Sequence, residues 1–319
     1  MDAAGADPAL IFHHYDFSNF SEKIRLIFGR KALAWRSVTI PSTAPKPDYE
    51  PLTGGYRRTP ALQIGADVYC DTRLIAAILE ERVPEPTLFP GDSVRSRALA
   101  ETLAMWAESQ FLWPLALYIT GVHADRFPAS FHEDRALLHG KPVPDHARVR
   151  ASAARNRAQL EPQLGWLEAL VGSEDFLLGA EPGLVDFTVY HPLFLLEVIG
   201  GERPPALLAE RPRTRAWMER VASVGNGRPT PLTPGEALRA AAEAEPRDAA
   251  ATVRENPEGH VAGDLVSVAP IDDRSSASAG VLVALSEERI AIELQGSALG
   301  NVRVHFPRVG YRVRSASGQ

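Results

Sequence analysis

Within its first eighty-four residues the chain alternates short apolar runs with helical periodicity, and this alternation constrains the fold more than any other feature. Residues 9–13 (ALIFH) read as a buried strand. Ser21 to Lys31 places Ile24, Leu26, Ile27 and Phe28 inward, and Trp35 to Ile40 reads as a second strand closed by Pro41. Four prolines and the Gly54-Gly55 pair in residues 41–58 predict an irregular connection. Ala61 to Ile64 and Val68 to Cys70 then form a hairpin about Gly65-Ala66-Asp67. Asp71 or Thr72 starts a helix carrying Leu74, Ile75, Ile78 and Leu79, which stops near Val83-Pro84. A βαβ unit followed by ββα predicts an open α/β layer over residues 1–84.

Beyond a Pro-rich connection at residues 84–92 the period changes. Long helices are expected at Ser93 to His123 with a kink at Pro114, Ala147 to Val171, Leu184 to Ile199 and Pro212 to Val224. Residues 92–226 therefore form an all-helical domain. The stretch holding His123, His132, His139 and His146 is rich in proline and charge, lacks metal-ligand spacing and reads as a solvated loop. Residues 227–257 read as a linker with one short helix near Pro234 to Ala244. In residues 258–319, brief alternating runs predict strands at 265–268, 281–285, 289–294, 302–306 and 311–313, hence a small all-β barrel or sandwich. Its terminal basic residues Arg303, His305, Arg308, Arg312 and Arg314 read as a solvated strand face, with a partner or self-association surface as the alternative.

Composition narrows the function classes. A formal net charge of -6 gives no electrostatic footprint for nucleic acid. No apolar segment approaches the roughly 20 residues of a membrane span, and the acidic first ten residues do not read as a signal peptide. The lone Cys70 excludes an internal disulfide framework and a multi-cysteine metal site, and in its strand pattern reads as a small buried residue. A reducing cytoplasmic setting without a metal is expected.

Two short motifs carry chemistry. Pro60 opens a strand and biases Thr59 to an extended conformation; either Pro60 only starts an edge strand, or the Thr59 backbone groups receive an added peptide. Asp71-Thr72 stands at a helix N-terminus, where free N–H groups favour a carboxylate and the Asp side chain suits an ammonium group. Taken alone, the pair reads as an ordinary cap.

In combination these parts resemble the glutathione transferases, with a thioredoxin-like N-terminal domain and an all-helical C-terminal domain; the β segment lies outside that pattern. The resemblance implies a cis peptide at Pro60, Thr59 pairing with the cysteinyl backbone of glutathione, and Asp71 and Thr72 holding its γ-glutamyl end. In "HYDFSNFSEKIR", Lys23 and Arg25 align as the two basic positions of the omega- and zeta-like classes and select Ser18 as the hydroxyl that stabilises the thiolate. Ser21 falls to the first helical turn, and Asn19 stands where many relatives have Pro. Half-ionising a thiol of pKa about 8.5 at neutral pH needs about 2 kcal/mol, within reach of one charged hydrogen bond plus a helix end.

Tyr15, Phe17, Trp106, Phe111 and Trp113 are the implied electrophile-pocket aromatics. Gly183 replaces the family's capping hydroxyl, leaving Asp186 to bond backbone donors as a folding device. The implied activity is glutathione transfer to a small-molecule electrophile, with glutathione as co-substrate, in a detoxifying homodimer. The alternative is a non-catalytic binding or scaffold protein acting through the β segment.

Overall fold

The computed structural model describes residues 8–91, 94–172, 174–201, 206–247, 252–273, 276–296 and 298–316. Strands β1 (Ile11–His14), β2 (Ala34–Thr39), β3 (Ala61–Ile64) and β4 (Asp67–Cys70) alternate with helix α1 (Asn19–Arg30) and the single turn α2 (Glu50–Thr53). Helix α3 (Thr72–Arg82) follows. β1 pairs parallel with β2 and antiparallel with β3, which pairs antiparallel with β4. This is the thioredoxin-like layer. Both its faces are buried, and successive residues divide between two cores. Phe12, Leu62 and Tyr69 pack with α1, α3 and the helical domain. Ile11, Ala61, Val68 and Cys70 pack with Tyr49 and Leu52 on the other side. Burial on both faces is why these strands read as apolar runs instead of alternations.

The helical domain comprises α4 (Val94–Trp106), a π-helical turn (Ala107–Phe111), α5 (Leu112–Val122), α6 (Ala129–His139), α7 (His146–Val171), α8 (Leu184–Val198) and α9 (Pro212–Ser223). Pro114 has no N–H for the carbonyl of Gln110, and that carbonyl accepts from Gln163 Nε2 at 3.3 Å. The histidine-rich stretch is not a solvated loop throughout. His132 and His139 belong to α6, which ends at Gly140 with φ +58°. Phe131, Arg135 and His139 recur at helical spacing on its inner face.

Asp186 at the start of α8 acts as expected. Its Oδ1 accepts from Leu177 N–H at 2.8 Å and Trp217 Nε1–H at 2.9 Å, and its Oδ2 from Gly183 N–H at 3.0 Å. Three segments of the helical domain thus meet on one buried carboxylate.

The remaining chain wraps the far side of the layer. β5 (Arg228–Pro231) adds in parallel to the edge of β2, an unexpected strand in the linker. Gly227, at φ +68°, permits that approach, since a Cβ there would lie 2.6 Å from the carbonyl oxygen of Leu33. α10 (Pro234–Ala242), started by a Thr233–Glu236 capping box, buries Ala237 and Ala241 in the second core.

β6 (Leu265–Pro270), β7 (Ser278–Leu285), β8 (Arg289–Glu293), β9 (Arg303–Pro307) and β10 (Tyr311–Ser315) lie in the order β10-β6-β7-β8-β9. A flat sheet would hold its outer strands about 19 Å apart, but the link from Pro307 to Tyr311 reaches at most about 14 Å. The unit therefore curls into a small barrel, with the rings of Phe306 and Tyr311 5.4 Å apart.

This barrel is fused to the first layer. β9 pairs in parallel with β4, giving one ten-stranded sheet. His305 Nε2 lies 2.8 Å from Asp67 Oδ1, and Asp67 Oδ2 accepts from Arg247 N–H at 2.7 Å. The arginine-rich end is a solvated face only in part: Arg314 is exposed, but His305 is buried, Arg303 pairs with Glu293, and Arg312 donates to the carbonyls of Pro270 and Asp273.

Asp186→Ala strands three donors in the core and is expected to cost about 3–5 kcal/mol. Thermal denaturation should register this as a loss of several degrees, and an unchanged melting temperature would refute the role assigned to this carboxylate.

Candidate functional site

A cavity of about 380 Å³ opens between the α/β layer and the helical domain, with Asp272 of the barrel at its lip. The expected residues Thr59, Pro60, Asp71 and Thr72 all line it, and the Thr59–Pro60 peptide is cis. Asp71 adopts φ +76°, a left-handed conformation uncommon outside glycine, and caps α3 by accepting from Arg73 N–H at 2.9 Å. Its other oxygen accepts from Tyr311 Oη at 3.1 Å. Tyr311 Oη lies 2.9 Å from Tyr56 Oη, so with its single proton given to Asp71 it accepts the proton of Tyr56. Burial pushes the Asp71 carboxyl up, as does the charge of Glu108, against the Arg73 N–H and Lys23.

The cavity floor is a charged network. Lys23 Nζ pairs with Glu108 Oε1 at 2.8 Å and donates to Thr72 Oγ1 at 3.3 Å. Glu108 sits in the π-helical turn, where the added residue in the helical repeat rotates it toward the cavity. Burial alone would raise its carboxyl, but Lys23 and His191 hold it well below the usual range. His191 Nε2 lies 3.6 Å from Glu108, while Nδ1 accepts from Asn19 Nδ2 at 2.9 Å, an arrangement that assigns the ring proton to Nε2. Burial lowers the His191 pKa and favours this neutral ring.

Ser18 stands at the junction of β1 and α1. It is the N-cap of α1, its Oγ accepts from Ser21 N–H at 3.2 Å, and Phe17 and Asn19 line the cavity where Ser18 does not. The N-cap geometry that satisfies an orphan N–H turns the hydroxyl into the helix start. The two basic residues that selected it have other partners. Arg25 pairs with Glu22 and donates to the carbonyl of Asp16 at 2.9 Å, stapling the β1–α1 turn, whereas Lys23 serves the floor.

Among the aromatics, Tyr15, Phe17 and Trp113 line the cavity. Trp106 and Phe111 do not; they stack at 5.2 Å, with Phe111 fully buried, and belong to the core of the helical domain. Cys70 is buried, and burial pushes its thiol up.

Several wall residues had no sequence signal. Lys46 Nζ donates to Thr59 Oγ1 at 2.8 Å, and burial, then Arg135 and Arg57, lower its pKa to about 7. Arg57 and Arg135 both pair with Asp134 of α6, which also accepts from Ala44 N–H at 3.1 Å. Tyr311 reaches Asp71 from 240 residues away. Among the described residues no cluster of His, Cys, Asp and Glu is arranged to hold a metal, and no helix is long and apolar enough to cross a membrane.

Comparison with known proteins gives a consistent set of relatives. Residues 12–87 match the family "Glutathione S-transferase, N-terminal domain" and residues 150–220 match "Glutathione S-transferase, C-terminal domain". The crystal structure of a GST-like protein from Pseudomonas syringae is 34% identical, with 97% of this chain and 99% of that one covered and a TM-score of 0.76. That coverage extends through the β barrel. FtsZ-localized protein A from Caulobacter vibrioides is 26% identical over 191 residues, 59% of this chain and 77% of that protein. A glutathione S-transferase from Methylobacterium radiotolerans, solved in complex with glutathione sulfonate, shares the fold at 19% identity and a TM-score of 0.50, over 70% of this chain and 98% of its own.

The cationic wall has a direct spectroscopic consequence. After reductive ¹³C-methylation of the chain's four lysines, the Lys46 signal should titrate near pH 7. A solvated lysine titrates near 10.4. Lys46→Arg identifies the signal by its loss, and titration at the solvated value would exclude a cation-crowded, desolvated wall.

Proposed function

The chain belongs to the glutathione S-transferase family, and on that premise we propose that its cavity binds glutathione and presents the thiol to a small-molecule electrophile. The observation that carries this reading is the convergence of Thr59, cis Pro60, Asp71 and Thr72 on one cavity wall. The Thr59 backbone pairs with the cysteinyl backbone of the tripeptide. The γ-glutamyl carboxylate meets the Thr72 hydroxyl and the first N–H groups of α3, and its ammonium meets Asp71. Tyr311, by bonding the second oxygen of Asp71, holds that carboxylate in place. Lys46, beside Thr59, is positioned for the glycyl carboxylate while protonated. Affinity then falls as pH rises through about 7.

Ser18 completes the proposal. After accepting from Ser21 N–H it retains a hydroxyl proton, and that proton is the donor assigned to the thiolate at the start of α1. Homodimerisation, a cytoplasmic site and a detoxifying role follow from the family as parts of the same proposal. A second reading, glutathione binding without turnover and a barrel that does the work, draws support from the burial of Ser18 and its place outside the cavity wall. A relative named as FtsZ-localized points the same way.

Retention on immobilised glutathione tests the tripeptide site. Asp71→Ala should weaken binding by roughly ten- to a hundredfold and Tyr311→Phe by a smaller factor; a wild type that fails to bind at millimolar glutathione would sink both readings. Difference absorbance of the bound thiolate separates the two. Transfer chemistry requires a thiol pKa below about 8.5 that rises by about one unit or more in Ser18→Ala, whereas an identical pKa in both proteins leaves Ser18 as a cap and favours the second reading.

A further inference from the structure

We infer that the electrophile side of the cavity selects a planar aromatic acid, its carboxylate held by Arg135 and its ring by Phe131, Tyr15 and Phe17. This rests on the preceding reading that a second small molecule enters beside glutathione, and it specifies that molecule's chemical class.

The argument begins with α6. Phe131 and Arg135 stand one turn apart on its inner face, and both line the cavity. The Arg135 guanidinium lies 4.8 Å from the Phe131 ring centroid and 3.5 Å from Tyr15 Oη. Tyr15 and Phe17 pack together with ring centroids 4.7 Å apart. Aromatic surfaces and a fixed planar cation therefore face one space.

That cation shares its carboxylate with other donors and otherwise reaches neutral oxygens, the Ser42 carbonyl at 3.3 and 3.4 Å and Tyr15 Oη at 3.5 Å. Asp134 is shared by Arg135, Arg57 and the Ala44 N–H, so one carboxylate serves two guanidiniums and a backbone donor. Lys46 adds a third positive group, which draws on the same Asp134 and then on Glu50, the latter also accepting from the Lys46 backbone N–H at 3.2 Å. Farther along the lip, Arg58 is matched by Asp272 and Asp273, which confines the excess to the Arg135 side. The lowered pKa of Lys46, driven after burial by Arg135 and Arg57, is the imprint of the same excess.

Ligand class follows from desolvation. A neutral apolar molecule filling the slot would strip water from Arg135 without replacing its hydrogen bonds. A carboxylate on the ring supplies both lone-pair oxygens to the planar fork while the ring stacks on Phe131. Lys46, bonded to Thr59 Oγ1, is the cation assigned to glutathione, which leaves the Arg135 guanidinium to the second molecule.

Calorimetric titration of the full-length protein with 3-nitrobenzoate and with 3-nitrobenzamide, rings of equal size, tests the assignment without requiring turnover. The acid is expected to bind about tenfold or more tightly than the amide. Arg135→Gln should bring the acid to within about twofold of the amide and leave the amide unchanged, while Arg135→Lys keeps part of the preference. Equal affinities in the wild type, or a preference that survives Arg135→Gln, would overturn the inference. Retention on immobilised glutathione, measured on the same preparations, reports the other site: wild type that is retained but shows no acid preference refutes the aromatic-acid assignment alone. Failure of wild type to be retained refutes the tripeptide reading.

Discussion

The Lys23–Glu108 pair sets the geometry of the whole cavity. Lys23 belongs to α1 of the α/β layer and Glu108 to the π-helical turn of the helical domain, and Lys23 is almost completely buried. Removing either partner strands a desolvated charge, a loss of about 3–5 kcal/mol. The pair therefore disfavours any arrangement in which the two domains separate. It also fixes the start of α3, because Lys23 donates to Thr72. One ion pair thus aligns the helix N-terminus assigned to the tripeptide carboxylate with the helical wall opposite.

A second constraint comes from the sheet. β4 would be an exposed edge beside the cavity, and such an edge invites pairing with another chain. Here β9 takes it, and the barrel that follows delivers Tyr311 to Asp71. The barrel is therefore joined to the site through hydrogen-bonded strands, not appended by a flexible tether. Packing reinforces the connection, since Tyr56, which lines the cavity, lies 5.5 Å from Phe306 of β9. A barrel variant that shifts β9 is coupled to the Asp71 end of the cavity by rigid elements.

Much of this architecture was legible in the sequence because it rests on local rules. The βαβ and ββα order, the helix starting at Thr72, the long helices and the five terminal strands all follow from periodicity and turn residues. Thr59, Pro60, Asp71 and Thr72 were legible because a strand start and a helix start have local signatures. What escaped detection is non-local. No pattern pairs β4 with β9, or Tyr311 with Asp71, across more than two hundred residues. α6 was hidden because proline and charge at its ends resemble a loop, whereas its inner stripe has meaning only against the cavity. Trp106 and Phe111 misled in the opposite sense, since a helix carries aromatics on its core face as readily as on its cavity face.

Asn19 and Ser18 illustrate how one junction serves two demands. A proline at position 19 would occupy the first helical position at no hydrogen-bonding cost, because that N–H has no intrahelical partner. Asparagine gives up this preorganisation but supplies a side chain that reaches His191 of α8. His191 in turn faces Glu108, so the loop carrying Ser18 is tied to the same floor network as Lys23. Asn19 thereby exchanges local rigidity for an interdomain bond. The Ser18 hydroxyl answers to the helix through Ser21 N–H and can serve a thiolate only with the proton that this bond leaves free. Its orientation consequently depends on the distance between α1 and α8, which the Asn19–His191 and Lys23–Glu108 contacts hold from either side of the junction.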